Sequence, residues 1–183
     1  MKFEIKSRWS GEVKYTCELS ASVEHKSYSV QLGFAIKKAI AEKADLRGAD
    51  LRSANLSNAD LINANLSGAY LRGADLRTIR ADFYDVLAWS PREVPALIDA
   101  LKKGRVDGST YQGKCACLVG TIANARGIGF ESLEHDSYRP IERFFMNIKE
   151  GDTPETNQAS AIALEWAESW LASMQSAFGS KAP

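Results

Sequence analysis

One segment of the chain has the residue spacing of a phosphate-binding loop. Gly108, Gly113 and Lys114 reproduce the G-x-x-x-x-G-K pattern, in which backbone N–H groups and a lysine surround phosphate oxygens. Cys115, however, stands where Ser or Thr would contact Mg²⁺. Such a loop also follows a buried strand, whereas the preceding helix here is predicted to end at Gly104. We therefore predict a loop between helices, and a bound nucleotide or other small molecule is kept as an alternative.

The cysteines and histidines do not predict a metal or catalytic centre. Cys115 and Cys117 form a single C-x-C pair without the second pair of ligands that a structural zinc site needs. On a helix, side chains two residues apart also diverge. His135 is followed by an aspartate that could orient a general base, but no nucleophile stands at a recognisable spacing. The sequence thus predicts no catalytic residue, no metal site and no cofactor.

A run of five-residue repeats is the dominant feature of the sequence. From Ala44 the chain reads ADLRG, ADLRS, ANLSN, ADLIN, ANLSG, AYLRG and ADLRT, with Ala first and Leu third in every repeat. A period of five fits neither a helix nor a strand. It does fit a coil whose flat faces each take one repeat, with Leu filling the axis. Leu61→Ala is accordingly expected to cost about 2–5 kcal/mol of stability.

This pattern resembles that of the pentapeptide-repeat family, A-(D/N)-L-x-x. The resemblance implies a right-handed quadrilateral β-helix with four repeats per coil, so residues 44–78 would form just under two coils. We read residues 81–83 as a final imperfect repeat. Because the ends of so short a tube expose unpaired edges, the flanking segments are expected to cap it. The fold class is α+β, divided into a hairpin and capping helix (1–43), the β-helix (44–85) and an α-helical domain (86–183).

The flanking segments carry ordinary strand and helix patterns. Phe3, Ile5 and Trp9 alternate with polar residues and predict a strand, which a turn at Ser10-Gly11 connects to a second strand. Apolar spacing predicts a helix over about 29–43. Further helices are predicted from a capping box at residues 90–93, over 114–126, from residue 140, and from Thr153-Pro154 to about residue 178.

The arginines of the repeats are the best candidates for binding. Four of them directly follow a central Leu and should point outward, and Arg52 should stack about 4.8 Å from Arg72. They could form a solvated surface neutralised by neighbouring aspartates, or a patch that binds a partner. The predicted partner-binding residues are Arg47, Arg52, Tyr70, Arg72 and Arg77.

The last predicted helix has a wide apolar arc that includes Trp166, Trp170 and Met174. One buried face usually needs an arc of little more than about 100°. Either the helix is wedged between two neighbours of its own domain, or part of the arc forms a homodimer or partner interface.

Charge and motifs together favour an interaction protein. Lys plus Arg and Asp plus Glu both number 23, so no strong field attracts the chain to nucleic acid or membrane. The charged N-terminus does not resemble a signal peptide, and a cytoplasmic protein is expected. Residues 90–95 and 106–111 resemble segments of pentapeptide-repeat proteins carried by phages and prophages.

We predict a non-catalytic module that binds a host protein and inhibits it, for example a component of a defence system. A DNA-mimicking inhibitor of DNA gyrase, which the family resemblance suggests, and a small-molecule or nucleotide binder that uses the C-terminal segment are the alternatives.

Overall fold

A computed structural model describes residues 1–57, 66, 69–137 and 139–179 of the chain. The chain divides into two compact units, Met1–Ile79 and Arg80–Pro183, which are described separately below. The predicted three-part division, with boundaries after residues 43 and 85, stays a prediction.

The first unit begins with a β-hairpin. Strands β1 (Lys2–Lys6) and β2 (Val13–Glu18) pair antiparallel, with Phe3 opposite Cys17. Gly11 adopts a positive φ of 70° in the connecting turn, as the Ser10-Gly11 signal predicted. Phe3 and Cys17 are buried, but Trp9 lies beyond the end of β1 and is 77% exposed. The prediction that Trp9 belongs to the apolar face of the strand was therefore wrong, because the strand ends before it.

Helix α1 (Tyr28–Ala41) packs on the hairpin and on the repeats. Its apolar stripe is buried, as its spacing predicted, and includes Ile36 at 0% exposure. Gly33 lies so close to the repeats that a Cβ atom there would stand 2.2 Å from the carbonyl oxygen of Asn55. The glycine is thus required for the close approach of α1 to the repeat backbone.

The repeats pair with each other at a separation of twenty residues. Isolated parallel bridges join Asp50 to Tyr70 and Asn55 to Asp75, which is the offset of four repeats. The central leucines of the described repeats are buried, at 0–6% exposure. Leu61 lies outside the described residues, so the prediction made for it is not assessed. Within the described residues the only sheet is the hairpin, and the quadrilateral geometry stays a prediction.

The last repeat passes directly into helix α2 (Arg77–Trp89). The prediction of a final imperfect repeat at residues 81–83 was therefore wrong. The Ala and Leu positions with a period of five end at Leu76. The buried residues Ile79, Phe83 and Val86 then recur at the three- and four-residue spacing of a helix.

The second unit continues with four more helices. They are α3 (Val94–Lys102), α4 (Leu118–Arg126), α5 (Pro140–Phe145) and α6 (Gln158–Phe178). Helix α3 packs against both α4 and α6, and an aromatic cluster fills the core. In this cluster the ring centroids of Phe83 and Phe145 are 5.7 Å apart, and those of Phe144 and Trp166 are 5.5 Å apart.

Two predicted helix starts were wrong in position. Helix α4 begins at Leu118 rather than at residue 114, because Val106 and Ala116 form a parallel bridge that keeps the preceding residues extended. Helix α6 begins at Gln158 rather than at Thr153-Pro154. Its N-cap is Asn157, whose side chain accepts a hydrogen bond from Ser160 N.

The predicted capping box at residues 90–93 has no side-chain capping hydrogen bond. Its two polar side chains instead pair with a residue of another helix. Arg126 donates to Glu93 Oε1 at 2.9 Å and to Ser90 Oγ at 3.1 Å. The segment forms a short 3-10 turn, Pro91–Glu93, before α3.

Candidate functional site

Three of the four arginines predicted on the repeats pair with an aspartate of their own repeat. In each pair the arginine Nε donates to a carboxylate oxygen at 2.7–2.9 Å. The aspartate precedes a buried leucine and the arginine follows it, so both side chains leave the same surface. The pairs are Asp45–Arg47, Asp50–Arg52 and Asp75–Arg77.

The pairing changes the electrostatics of this surface. Hydrogen bonds from Arg47 lower the pKa of Asp45 to about 2, and hydrogen bonds from Arg52 likewise lower the pKa of Asp50. Both carboxylates therefore stay ionised at neutral pH, and each cancels the charge of its arginine. For these three pairs the geometry favours the self-neutralised surface over a set of free cations.

Arg72 differs from the other three arginines because its repeat has no aspartate. Tyr70 occupies the position at which the other arginine-bearing repeats have Asp. Among the described residues, Arg72 has no carboxylate partner. The repeat stacks on the one that holds Arg52, as predicted, with Ser53 N donating to the carbonyl oxygen of Arg72 at 3.1 Å. Arg72 is thus an exposed cation next to a tyrosine.

Two residues of the hairpin turn extend this feature into a surface. The rings of Trp9 and Tyr70 meet edge to face, with centroids 5.8 Å apart. The Arg8 guanidinium carbon lies 5.7 Å from the centroid of the Tyr70 ring. We define Arg8, Trp9, Tyr70 and Arg72 as the aromatic–arginine patch. It joins a cation–π contact to an edge-to-face aromatic pair on the outside of the unit.

Backbone hydrogen bonds place the hairpin turn against the repeats. Arg8 N donates to the carbonyl oxygen of Gly48 at 3.0 Å, and Asp50 N donates to the carbonyl oxygen of Lys6 at 2.9 Å. Ser7 also forms an antiparallel bridge with Ala49. These contacts fix the start of the turn, so Arg8 and Trp9 are held over Tyr70.

The patch has more positive than negative charge. Asp50, a carboxylate on which the charge of Arg8 acts, is already engaged by Arg52 at 2.7 Å. Arg8 also lowers the pKa of Asp50 through its charge, but forms no ion pair within the described residues. Within the described part of the chain, the guanidinium groups of Arg8 and Arg72 therefore have no carboxylate paired with them. The patch can bind a carboxylate or another anion, with Trp9 supplying apolar contact.

The predicted interface residues of the last helix are mostly internal. Trp166 is 8% exposed and Trp170 is 6% exposed, and both belong to the core of the second unit. Only Met174 is partly exposed. This burial favours the alternative of a helix wedged between neighbours, and an interface through the helix stays a prediction.

The loop with phosphate-binding spacing forms hydrogen bonds within itself. Asp107 accepts hydrogen bonds from the backbone and hydroxyl of Ser109. Gly108 packs on the backbone of Phe145, where a Cβ atom would stand 1.9 Å from its carbonyl oxygen. The loop follows α3 by only a few residues, as predicted, rather than following a strand of a sheet. Nucleotide binding by this loop stays an untested alternative.

The cysteines and histidines of the second unit do not come together as ligands. Cys117 is buried, whereas Cys115 is partly exposed and lies 3.4 Å from Glu150 Oε1. His135 packs against the rings of Tyr111 and Phe130. Across residues 1–57, 66, 69–137 and 139–179, no group of three or more His, Cys, Asp or Glu side chains could hold a metal ion.

One carboxyl group is buried in the core of the second unit. Glu142 is 4% exposed, and its Oε1 accepts a hydrogen bond from Val119 N at 3.3 Å, at the start of α4. Burial raises the pKa of this carboxyl to about 7. Burial also raises the pKa of the neighbouring Cys117 thiol. The sequence patterns did not indicate this buried carboxyl group.

The second unit also has an open cavity of about 220 Å³. Val86, Val119 and Ile122 form apolar walls, and Arg126 and Arg139 contribute charge. Both arginines are already engaged, Arg126 by Glu93 and Arg139 by Asp82 and Asp85. The cavity can hold a small, mainly apolar group.

Sequence reasoning found Tyr70 and Arg72 but missed Arg8 and Trp9. One available signal was the AYLRG repeat, in which a tyrosine replaces the aspartate that neutralises arginine elsewhere. The contact with the hairpin turn had no signal in the sequence, because it depends on tertiary pairing between residues about forty apart.

Comparison with known proteins agrees with the repeat analysis. Residues 42–77 match the family model for pentapeptide repeats, in eight copies. These residues, about a fifth of the chain, are pentapeptide repeats, and such a run forms a solenoid of the β-helix type. Neither the curated proteins nor the solved structures contain a significant match to the chain.

The helices were also compared with the requirements of a membrane span. In the part of the chain that the structure describes, none of them combines the length and the apolar character needed to cross a bilayer.

Proposed function

We propose that the protein is a non-catalytic protein-interaction module, encoded by a phage or prophage, that binds a host protein in the cytoplasm. The observation that carries the proposal is the exposure of the aromatic–arginine patch. Trp9 is 77% exposed although it packs on Tyr70, a residue of the same repeat as Arg72. Exposed tryptophan is among the residue types that contribute most to protein interfaces, and backbone hydrogen bonds between the turn and the repeats hold this one in place.

The composition of the patch is that of a binding hot spot. Trp, Tyr and Arg are the residue types that contribute most of the binding energy in protein interfaces. Tyr70 is held by the repeat backbone, and Trp9 by the turn, so little side-chain entropy is lost on binding. A small, preorganised anchor of this kind suits a protein partner.

The repeats supply a rigid platform for the patch. Pairing at an offset of twenty residues supports the finer geometry that the family resemblance implies, a right-handed quadrilateral coil with four repeats per turn. In such a coil, side chains that project from one face are held at a fixed spacing. We further propose that binding inhibits the partner, for example a component of a host defence system.

The DNA-mimic alternative is disfavoured by the paired surface. A protein that imitates duplex DNA must present unpaired negative charge along its length. On the described repeats the aspartates Asp45, Asp50 and Asp75 are each engaged by an arginine of the same repeat. Among the described residues of the repeats, Arg72 is the arginine without a carboxylate partner.

A pull-down from host lysate tests the proposal. The tagged wild type should retain a host protein, and Trp9→Ala or Arg72→Glu should lose it. Trp89→Ala is the matched control, since Trp89 is 76% exposed and lies in the second unit. The proposal is supported if wild type and Trp89→Ala retain the host protein and the other two variants do not. Equal retention by all variants contradicts the assignment of the patch.

The 220 Å³ cavity supports a second candidate function, the binding of a small apolar molecule by the second unit. A ligand that binds only the folded protein raises the melting temperature. Thermal-shift screening of wild type beside Leu133→Trp, which places a larger side chain at a half-buried residue of the cavity wall, tests this candidate. A ligand that stabilises both proteins equally would place its site elsewhere.

A further inference from the structure

We propose, on the basis of the proposed function, that the aromatic–arginine patch binds an acidic segment of the partner protein, with Arg72 engaging a carboxylate. In the three repeats that have both Asp in the second position and Arg in the fourth, the carboxylate engages the arginine, as Asp50 does with Arg52 at 2.7 Å. In the repeat of Tyr70, the arginine keeps its donors for an external carboxylate.

The geometry also defines what surrounds that carboxylate. Tyr70 and Arg72 flank Leu71, which is 3% exposed, so both side chains leave the outer surface of the same repeat. Arg8 covers the ring face of Tyr70, and Trp9 meets Tyr70 edge to face. A bound segment therefore meets two guanidinium groups and one exposed indole. The matching ligand has carboxylates together with an apolar side chain.

Charge magnitude favours a protein partner over a nucleic acid. Proteins that depend on the phosphate backbone typically neutralise about six to ten phosphates. The patch offers two guanidiniums that form no ion pair with any residue the structure describes, and the chain has equal numbers of basic and acidic residues. Two carboxylates of a peptide can be matched by Arg8 and Arg72, because a guanidinium forms bidentate hydrogen bonds with a carboxylate.

A single substitution that restores the common repeat sequence should block the anion-binding site. In Tyr70→Asp the sequence becomes A-D-L-R, so the new carboxylate should engage Arg72 as Asp50 engages Arg52. The repeat fold already accepts Asp at this position in three other repeats that carry arginine. Loss of binding in this variant would therefore report loss of the patch, through occupation of Arg72 and removal of the Tyr70 ring that Arg8 and Trp9 contact, rather than unfolding.

The experiment measures the binding of labelled peptides to the full-length protein by fluorescence anisotropy. The probes are a peptide of alternating Glu and Ala, its Gln and Ala counterpart, and an oligo-dT strand. Wild type should bind the Glu peptide best. Tyr70→Asp and Arg72→Gln should each weaken that binding by at least about tenfold. Arg47→Gln is the control, because Asp45 already holds that guanidinium, and it should bind as wild type does.

The outcomes separate this inference from the proposed function. Tighter binding of the oligo-dT strand, or equal binding of the Glu and Gln peptides, would overturn the acidic-segment assignment. So would unchanged binding of the Glu peptide by Tyr70→Asp, with its fold confirmed by circular dichroism. If the Glu peptide fails to bind while the pull-down still depends on Trp9, the interaction module stands and only the partner chemistry is wrong.

Discussion

The Asp50 carboxylate and the Arg52 guanidinium form two parallel hydrogen bonds across one pentapeptide. Arg52 Nε donates to Oδ1 and Nη2 donates to Oδ2, each at 2.7 Å. The repeat that stacks on this one, twenty residues later, has Tyr70 and Arg72 in the equivalent positions. The difference between Asp50 and Tyr70 thus decides which arginine is available on this face.

The ion pair of Asp45 can be tested by its titration. The carboxyl of Asp45 should titrate near pH 2 in wild type, because hydrogen bonds from Arg47 lower its pKa to about 2. In Arg47→Gln the pKa should rise toward the ordinary value of about 3.9. Carboxyl carbon shifts measured by NMR across the acid range report this directly. An Asp45 pKa that is the same in both proteins would contradict the pairing.

The sign of the stability effect follows from the lowered pKa. Asp45 is more acidic in the folded state than in the unfolded state, so its contribution to stability is present above about pH 4. That contribution is lost as the pH falls toward 2. Arg47→Gln should therefore lose less stability between these pH values than wild type does.

Glu142 should produce the opposite pH dependence. Burial raises its pKa to about 7 in the folded protein, above the unfolded value of about 4.3. The folded state then binds more protons between these values, so the free energy of unfolding should fall as the pH rises through this window. The fall should be on the order of 3 kcal/mol. Urea unfolding at about pH 5 and about pH 8 measures it.

Glu142→Gln provides the control for this prediction. The amide oxygen can still accept the hydrogen bond from Val119 N, and it carries no charge at any pH. The variant should lose most of the pH dependence over this window and be more stable than wild type at about pH 8. An unchanged pH dependence would mean that another group is responsible.

Gly33→Ala should destabilise the first unit. In most exposed helix interiors, replacing Gly by Ala stabilises a protein by up to about 1 kcal/mol. Here the added methyl group would meet the Asn55 carbonyl oxygen at 2.2 Å, so α1 or the repeat must shift. A loss of about 1–3 kcal/mol is expected from such overpacking. Thermal unfolding measures the sign, and a raised melting temperature would contradict the close approach.

Leu51→Ala tests the assignment of the repeat core. Leu51 is 0% exposed and is the third residue of its repeat. Removing its side chain should cost about 2–5 kcal/mol, because the narrow interior cannot collapse around the cavity. The neighbouring Arg52→Ala is the control, since that side chain is exposed. Similar losses in denaturant unfolding for both variants would contradict an inward Leu and an outward Arg.

The repeats could be predicted from the sequence because a period of five leaves few ways to bury every leucine. Helix α2 could not be predicted in the same way. Its first residues, Arg77 and Thr78, complete the last five-residue match, and the change to helical spacing becomes visible only at Ile79 and Phe83. When a local sequence pattern is compatible with two structures, tertiary packing determines which of them forms.

Of the four residues of the patch, the two in the repeats could be predicted from the sequence and the two in the hairpin turn could not. Arg72 and Tyr70 stand in the repeat, where position alone indicates which side chains point outward. Trp9 was misplaced because alternation with Phe3 and Ile5 suggested a longer strand. Its place over Tyr70 depends on backbone hydrogen bonds between the turn and residues 48–50, and no local rule encodes them.

Site-specific photocrosslinking in host cells tests whether a host protein covers Trp9. A photoreactive phenylalanine analogue replaces either Trp9 or Trp89, which have nearly equal exposures of 77% and 76%. The account predicts one crosslinked host protein from position 9 and none from position 89, with the crosslink lost on adding Arg72→Glu. Crosslinks from position 89 alone, or from both positions regardless of Arg72, would contradict the account.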